Sequence, residues 1–375
     1  MAQVSYSKET VVISQDHYGR DIGFDVHRYD SGISGPDIYV QSSVHGSELQ
    51  GNLVIERLLQ LMETHRWCGS ITLVPFANPW SAHNHFGSGT YGRFDAVTGR
   101  NWNRGYHMIG DKECLSAFLD NHNPEDDDFI QSFRTFLGEQ LNKQVEPNRL
   151  YGFQRGKRLT YELQKLSHTA DIVLDLHTAG IAGLYIYAPE YLQNEVNDFS
   201  FPVNLIIPNA FDGAGDEAHF APWTLLQEIC NERGLSIDIP VEAYTVELGS
   251  EEIVSESLAN DQTRHIAQYL FRRGFFLDNP CTNDLPAGLY QNLDNYKTYH
   301  SERACLCDYL VKSGQQVSKG DVLAKLFTRN TDGTSKTQLL LAQEDSVVVN
   351  HASTSNLQAG TEVFQLLEHP KQYNS

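Results

Sequence analysis

Asp37-Ile-Tyr-Val-Gln-Ser-Ser-Val-His45-Gly-Ser-Glu48 is the stretch on which the reading of this chain turns. Ile38, Tyr39 and Val40 have the composition of a buried strand, and the small residues after them end it. From Gly46 onward the spacing of Leu49, Leu53, Ile55, Leu58, Leu59 and Leu61 predicts an amphipathic helix, with Ser47 as its N-cap. His45 and Glu48 therefore sit at a strand-to-helix corner, where an imidazole and a carboxylate can converge above the sheet edge. They are two of the ligand types of a His2Glu zinc site. Spacing alone does not decide the matter. His122-Asn-Pro-Glu125 repeats it inside a Pro-containing run that ends in Asp126, Asp127 and Asp128. No strand leads into that run and no helix starts at it, so a solvated loop is expected there.

With 375 residues the chain can form one large domain or two. Its formal net charge of −20 argues against nucleic acid or an anionic membrane as partner, because phosphate binding needs a basic surface. No stretch approaches the ~20 apolar residues of a membrane span. The start, Met1-Ala-Gln-Val-Ser-Tyr-Ser-Lys8, lacks the basic-then-apolar pattern of a secretion signal. Six cysteines are scattered without a Cys-x-x-Cys pair and read as core thiols. A cytoplasmic protein is expected, and a homo-oligomer is compatible with the sequence without being specified by it.

Strands are expected at 10–14, 22–29, 71–76, 172–177, 184–188, 203–207, 236–241 and 243–249. Helices are expected at 128–142, 158–168, 222–233 and 259–273. Strand, helix and strand in alternation point to an α/β sheet. Residues 77–106 form a long loop without periodicity, and its Trp80, Phe86, Phe94, Trp102 and Tyr106 argue for function over disorder. Near 278–286 the composition shifts to turn residues, and short strand-like runs follow. Val317–Leu326 aligns with Leu357–Leu366, as in a small β-sandwich or barrel with internal pseudo-symmetry. A catalytic domain over 1–283 and an all-β domain over 284–375 are the expected division.

Ile172-Val-Leu-Asp175-Leu-His177 is an apolar strand closed by polar groups at its carboxyl end, where α/β sheets place their ligands. Residues two apart on a strand face one side. His177 is thus the candidate third ligand, and Asp175 the carboxylate that would fix its tautomer. The competing reading is a satisfied histidine at a strand end. Glu247 interrupts another apolar strand and is the candidate general base, against a rim residue paired with a surface cation. In the long loop, the guanidinium groups of Arg93 and Arg104 could bind a carboxylate or stabilise an oxyanion, while Arg100 is assigned to solvent. His83 and His85 could bind a second metal, but an exposed polar loop is the favoured reading. Asp212-Gly-Ala-Gly-Asp216-Glu217 could receive a substrate amine, but a solvated turn is the favoured reading.

Together, Val44-His45-Gly-Ser-Glu48, Asn78-Pro79, Arg93, Asn103-Arg104, Asp175-Leu-His177 and Val246-Glu247-Leu-Gly249 resemble the succinylglutamate desuccinylase/aspartoacylase family. These are zinc deacylases built on the carboxypeptidase A fold, and the resemblance runs over about residues 35–275. It implies a three-layer α/β/α sandwich with a mixed sheet, followed by a C-terminal β domain similar to the lipoyl/biotinyl hybrid barrel. It further implies one zinc ion held by His45, Glu48 and His177, with Glu247 activating water. Arg93 would polarise the scissile carbonyl, and Asn103 and Arg104 would grip a substrate carboxylate. The implied reaction is hydrolysis of the amide bond of an N-acyl amino acid or a related small amide; a carboxypeptidase acting on short peptides would use the same residues. Two departures bear on the substrate. Asn101 stands where the family frequently has Asp, and the Asn-Arg pair continues as Gly105-Tyr-His-Met-Ile109 instead of an aromatic-Pro-Gly turn. A carrier or binding role for the β domain is the non-enzyme alternative. Lys336 lies near the position of a carrier's modified lysine, but Ser335 and Thr337 flank it where methionines are expected.

Overall fold

The structure, a computed structural model, describes residues 4–87, 89–90, 92–281 and 285–373. Its frame is one mixed sheet of ten strands. In chain order these are β1 (Ser5–Gln15), β2 (Asp21–Asp30), β3 (Asp37–Ser42), β4 (Ser70–Val74), β5 (Ile172–Ala179), β6 (Leu184–Pro189), β7 (Val203–Ile207), β8 (Glu242–Ser250), β9 (Leu289–Asn292) and the two-residue strand Lys371–Gln372. Their spatial order is β1-β2-β4-β3-β5-β8-β6-β7-β9, with Lys371–Gln372 at the far edge. At the centre β4, β3, β5 and β8 run parallel, and β6 pairs antiparallel to β8.

Parallel strands need cover on both faces, and six helices supply most of it. They are α1 (Gln50–Thr64), α2 (Lys112–Leu119), α3 (Phe129–Tyr151), α4 (Arg155–Ser167), α5 (Gly215–Glu232) and α6 (Glu256–Arg272). Leu174 and Leu176 of β5 pack with Val54, Leu58, Ile266 and Leu270 of α1 and α6. Val173, one step out of phase, packs on the opposite face with Leu159 and Leu163 of α4 and Ala218 and Phe220 of α5. Because side chains alternate along a strand, Asp175 and His177 share this second face with Val173. The α/β/α sandwich is thus as expected, and its register decides on which side the polar residues emerge.

Three expectations are corrected. The first helix starts at Gln50, with Leu49 as N-cap and no side-chain cap, so Ser47 does not cap it. Residues 45–48 instead form a tight turn, the Glu48 N–H donating to the His45 carbonyl at 3.1 Å. α5 begins at Gly215, with Pro222 inside it rather than near its first turn. Glu217 accepts the Asp212 and Ala214 N–H groups, which makes the Gly-rich acidic run the start of this helix. Residues 236–241 bury Ile237 and Val241 but form no ladder, and Pro240 carries no N–H to donate to one.

The C-terminal part forms two smaller sheets from β10 (Tyr296–His300), β11 (Cys305–Tyr309), β12 (Val322–Arg329), β13 (Ser335–Leu341), β14 (Ser346–His351) and β15 (Glu362–Glu368). The sequence repeat is visible in how they cross. Gln316–Val317 joins the sheet of β10, β15 and β14, while β12 of the same repeat lies in the other sheet. Asn356–Leu357 and β15 exchange sheets in the reverse sense. Gly320 and Gly360 turn the two repeats at φ +90° and +80°, a conformation open to glycine. The expected domain boundary at 283/284 lies outside the described residues. The two parts share strands: β9 pairs with β7, and β14 pairs with Ile181–Ala182, just past β5. All six cysteines are free. Among the described residues no helix is long and apolar enough to cross a membrane.

Candidate metal centre and its cavity

Sheet register assembles the site. His177 on β5 lies opposite Glu247 on β8, and Asp175 lies opposite both Thr245 on β8 and Gln41 on β3. All of these emerge on the α4/α5 face. The turn after β3 then carries His45 and Glu48 over the same point. Glu48 bridges the two imidazoles, with Oε1 2.9 Å from His45 Nδ1 and Oε2 2.7 Å from His177 Nδ1. Among the described residues these three form the group that could hold a metal ion, their ligand atoms lying within 4.8 Å of one another. His83 and His85 do not join it.

Each group is held from behind. His45 Nε2 lies 2.7 Å from Asn101 Oδ1, which also accepts the Asn103 N–H at 2.9 Å. His177 Nε2 lies 3.0 Å from Asp175 Oδ2, off the axis of a straight hydrogen bond. The Thr178 N–H donates to Glu48 Oε2 at 3.2 Å. The turn itself is strained and crowded. Ser43 has φ +57°, a left-handed conformation costly for a residue with a side chain, and its hydroxyl donates to the Glu48 carbonyl at 3.0 Å. A Cβ on Gly46 would sit 2.4 Å from the Ser81 backbone, so only glycine fits there.

The electrostatics follow from burial against charge. Burial alone would raise the Glu48 pKa, but the His45 and His177 imidazoles outweigh it and hold the carboxyl well below its usual range. Burial would lower the His177 pKa, and Asp175 and then Glu48 reverse that, holding it well above the ordinary value. His177 and Arg93 pull on Glu247 too weakly to offset its burial, and its Oε2 is buried without a hydrogen bond. Burial, then the nearby Glu48 charge, push its pKa up.

These groups line one cavity of about 400 Å³ together with Arg93, Asn103, Arg104, Tyr187 and Asp216. Arg93 Nη1 lies 3.4 Å from Glu48 Oε1 and 3.8 Å from Glu251 Oε1. Asn103 is turned inward, its Oδ1 accepting the Gly215 N–H at 3.0 Å and its Nδ2 lying 3.3 Å from His177 Nε2. Arg104 donates from Nη1 to the Asn103 carbonyl at 2.7 Å and stays half exposed. Every residue singled out for chemistry therefore reaches the cavity except Asp175, which stands behind His177.

Sequence reasoning missed Tyr187, Thr245 and Arg155. Alternation along Leu184-Tyr-Ile-Tyr187 could have placed Tyr187 on the face it shares with Thr245, its register partner. Arg155 had no local signal. Its Nε donates to Asp95 Oδ1 at 2.7 Å, and its guanidinium lies over Trp80 and Trp102, fastening the long loop to α4.

Comparison with known proteins matches this geometry to a family. The profile of the succinylglutamate desuccinylase/aspartoacylase catalytic domain matches residues 34–272. The crystal structure of a protein assigned to that family from Shewanella amazonensis superposes with a TM-score of 0.90 at 34% identity, covering 98% of this chain and 100% of the other. One from Shewanella frigidimarina gives 0.89 at 31% identity, covering 99% of both chains. A succinylglutamate desuccinylase/aspartoacylase from Rhodobacter sphaeroides shares the fold, with a TM-score of 0.64 at 16% identity over 99% of this chain and 96% of that one. No curated protein matches the chain. On its sequence and its fold, the chain belongs to the succinylglutamate desuccinylase/aspartoacylase family.

Proposed function

We propose that the protein is a zinc-dependent hydrolase that cleaves the amide bond of an N-acyl amino acid. The observation that carries the reading is the convergence of His45 Nδ1, Glu48 and His177 Nδ1 on one point, within 4.8 Å, at the wall of a cavity. Two imidazoles and one carboxylate, all buried, are the donor set of a catalytic zinc site that leaves a coordination position open. The backing also fits, because Asn101 and Asp175 stand at the Nε2 atoms and leave both Nδ1 atoms for a cation. A zinc ion held there would supply Lewis acidity to a water and to the substrate carbonyl.

The chain's own residues supply the rest. Glu247 stands beside His177 with an unpartnered oxygen, suited to take a proton from the attacking water and return it to the leaving nitrogen. Arg93, close to Glu48 on the open side, offers N–H groups to the oxygen that becomes negative as the carbonyl is attacked. Arg104 keeps donors free for a substrate carboxylate. Asn103, already engaged with Gly215 and facing His177, positions the wall between metal site and carboxylate site. A cavity of about 400 Å³ suits a small molecule.

The test is a panel of N-acetyl and N-succinyl amino acids and dipeptides with zinc-loaded protein, alongside metal analysis. Hydrolysis that a chelator abolishes and zinc restores is expected. Turnover indifferent to chelation, or a fully loaded protein inert toward every N-acyl compound, overturns the reading. Preference for dipeptides would move it to a carboxypeptidase.

A further inference from the structure

One wall of the cavity is built by the first turn of α5 and the loop before it, and three carboxylates lie there. Glu217 Oε2 accepts the N–H groups of Asp212 and Ala214 at 2.6 and 3.0 Å, holding the Gly-rich turn over the helix start. Asp212 is exposed and lies 3.9 Å from Arg104 Nε. Thr245 and the Glu217 N–H bear on the Asp216 carboxyl, but one of its oxygens is left over. Asp216 is 1% exposed, lines the cavity, and its Oδ1 has no hydrogen-bond partner. A buried carboxylate oxygen without a donor is costly to the fold. Placed on a cavity wall, it can be completed by something that enters the cavity.

The surroundings set the sign of that partner. Burial first, then the Glu217 and Asp175 charges, raise the Asp216 pKa to about 7, so an anionic ligand group there would meet three carboxylates. A cation with N–H donors supplies both what the oxygen lacks and what the charges favour. Register supplies the distance. Thr245 stands beside Asp216 and precedes Glu247 by two residues on the same face of β8, a spacing of roughly 7 Å. The expectation that this acidic run is a solvated turn is therefore corrected at Asp216, which is buried because α5 starts earlier than its Pro222 suggested.

Building on the amide hydrolysis argued above, we propose that Asp216 binds a free ammonium group of the substrate, so that the substrate class is N-acylated diamino acids. The acyl amide lies at Glu247 and His177, the second amine reaches Asp216, and Arg104 takes the carboxylate. An acidic side chain on the amino acid, by contrast, meets Asp216 as a like charge.

The experiment compares zinc-loaded wild type and Asp216→Asn on matched substrates. Nα-acetylornithine is set against its neutral isostere Nα-acetylnorleucine, and Nδ-acetylornithine against 5-acetamidopentanoate, which lacks only the α-amine. Wild type should prefer one amine-bearing member of these pairs by roughly 10–100-fold in kcat/KM, the worth of a charge-assisted hydrogen bond. The preference should collapse toward parity in Asp216→Asn. Calorimetric binding of free ornithine against norleucine to the wild type reads the same preference without turnover, and serves if the variant does not fold. Parity in wild type on both pairs and in product binding overturns the proposal, as does a preference that survives Asp216→Asn. If no N-acyl compound is hydrolysed, the hydrolase reading fails, and the binding comparison still judges Asp216. If all are hydrolysed alike, the hydrolase reading stands and the ammonium site falls.

Discussion

Replacing Glu247 with glutamine keeps the shape of the side chain and removes its ability to accept a proton, which separates two consequences of its burial. The first is on rate. Glu247 sits in register with His177 but is not one of the three converging groups, so Glu247→Gln should hold zinc at wild-type stoichiometry. Loss of a positioned general base should lower turnover by about 10²–10⁴. The second is on stability, and its sign follows from the raised pKa, which burial and Glu48 cause. Below the unfolded value of ~4.3 the group is protonated in both states and costs nothing. As pH rises above that value the unfolded chain ionises while the folded one resists, and stability falls until the folded pKa is passed. Glutamine escapes this loss. Each tenfold elevation in proton affinity is worth about 1.4 kcal/mol. The chelated variant should therefore melt above chelated wild type at neutral pH by about 1–3 °C for each such step, with the gap closing below pH ~4. Elemental analysis, steady-state kinetics and thermal melts of chelated protein at two pH values read all three quantities. A zinc-loaded Gln variant within tenfold of wild-type turnover would refute the base assignment. A variant that loses zinc would show instead that Glu247 is a ligand.

Arg93→Ala should cost about 10²–10³ in kcat with little change in zinc content, the loss expected when one donor to a developing oxyanion is removed. A fall in KM-controlled binding alone would move Arg93 from the reaction to substrate capture. Asn101→Ala should weaken zinc binding by about 10–100-fold, because the His45 ring then loses the partner that orients it, and Asn101→Asp should restore it; unchanged affinity by competition with a chromophoric chelator would dismiss the role. Arg155→Met should cost about 1–3 kcal/mol at pH 7, less than for a fully buried pair because Arg155 is partly exposed. Burial would raise the Asp95 pKa, but Arg155, the Val97 N–H and the Thr98 hydroxyl hold it below the ordinary carboxylate range. That stabilisation is present above the unfolded value of ~3.9 and is lost as pH falls through the lower folded one, so the difference between the two proteins should shrink toward pH ~2 in denaturant titrations.

What could be read from the sequence was what is local. Ile38–Val40 announces its strand by composition, and His45 and Glu48 follow at a corner only a few residues away. Asp175 and His177 were legible because a two-residue period on an apolar strand fixes their shared face, and Glu247 because a carboxylate breaks a similar run. Contacts made across the fold were not legible. Nothing around Asn101 points to His45, 56 residues away, and its Asp-to-Asn difference read as a remark about substrate until its oxygen was placed 2.7 Å from the ring. Asp95 and Arg155 pair across 60 residues with no periodic signal at either end. Helix and strand limits failed where tertiary contacts overrode propensity. Glu217 starts α5 ahead of Pro222, and the apolar run before Pro240 found burial without a neighbouring strand. Asp216 looked solvated for the same reason, since its burial depends on where α5 begins.

The pairing of Ile181–Ala182 with β14 has a mechanical corollary. His177 is four residues from that splice, on the strand that leads into it, and β9 and Lys371–Gln372 clamp the far edge of the same sheet. Pulling the C-terminal strands away would unzip hydrogen bonds that run directly into the backbone carrying an imidazole of the site. The β-rich tail is thus a splint on the framework of the site, and because Leu293, just past β9, also lines the cavity, trimming the tail should loosen the backbone under His177 and open the cavity wall together.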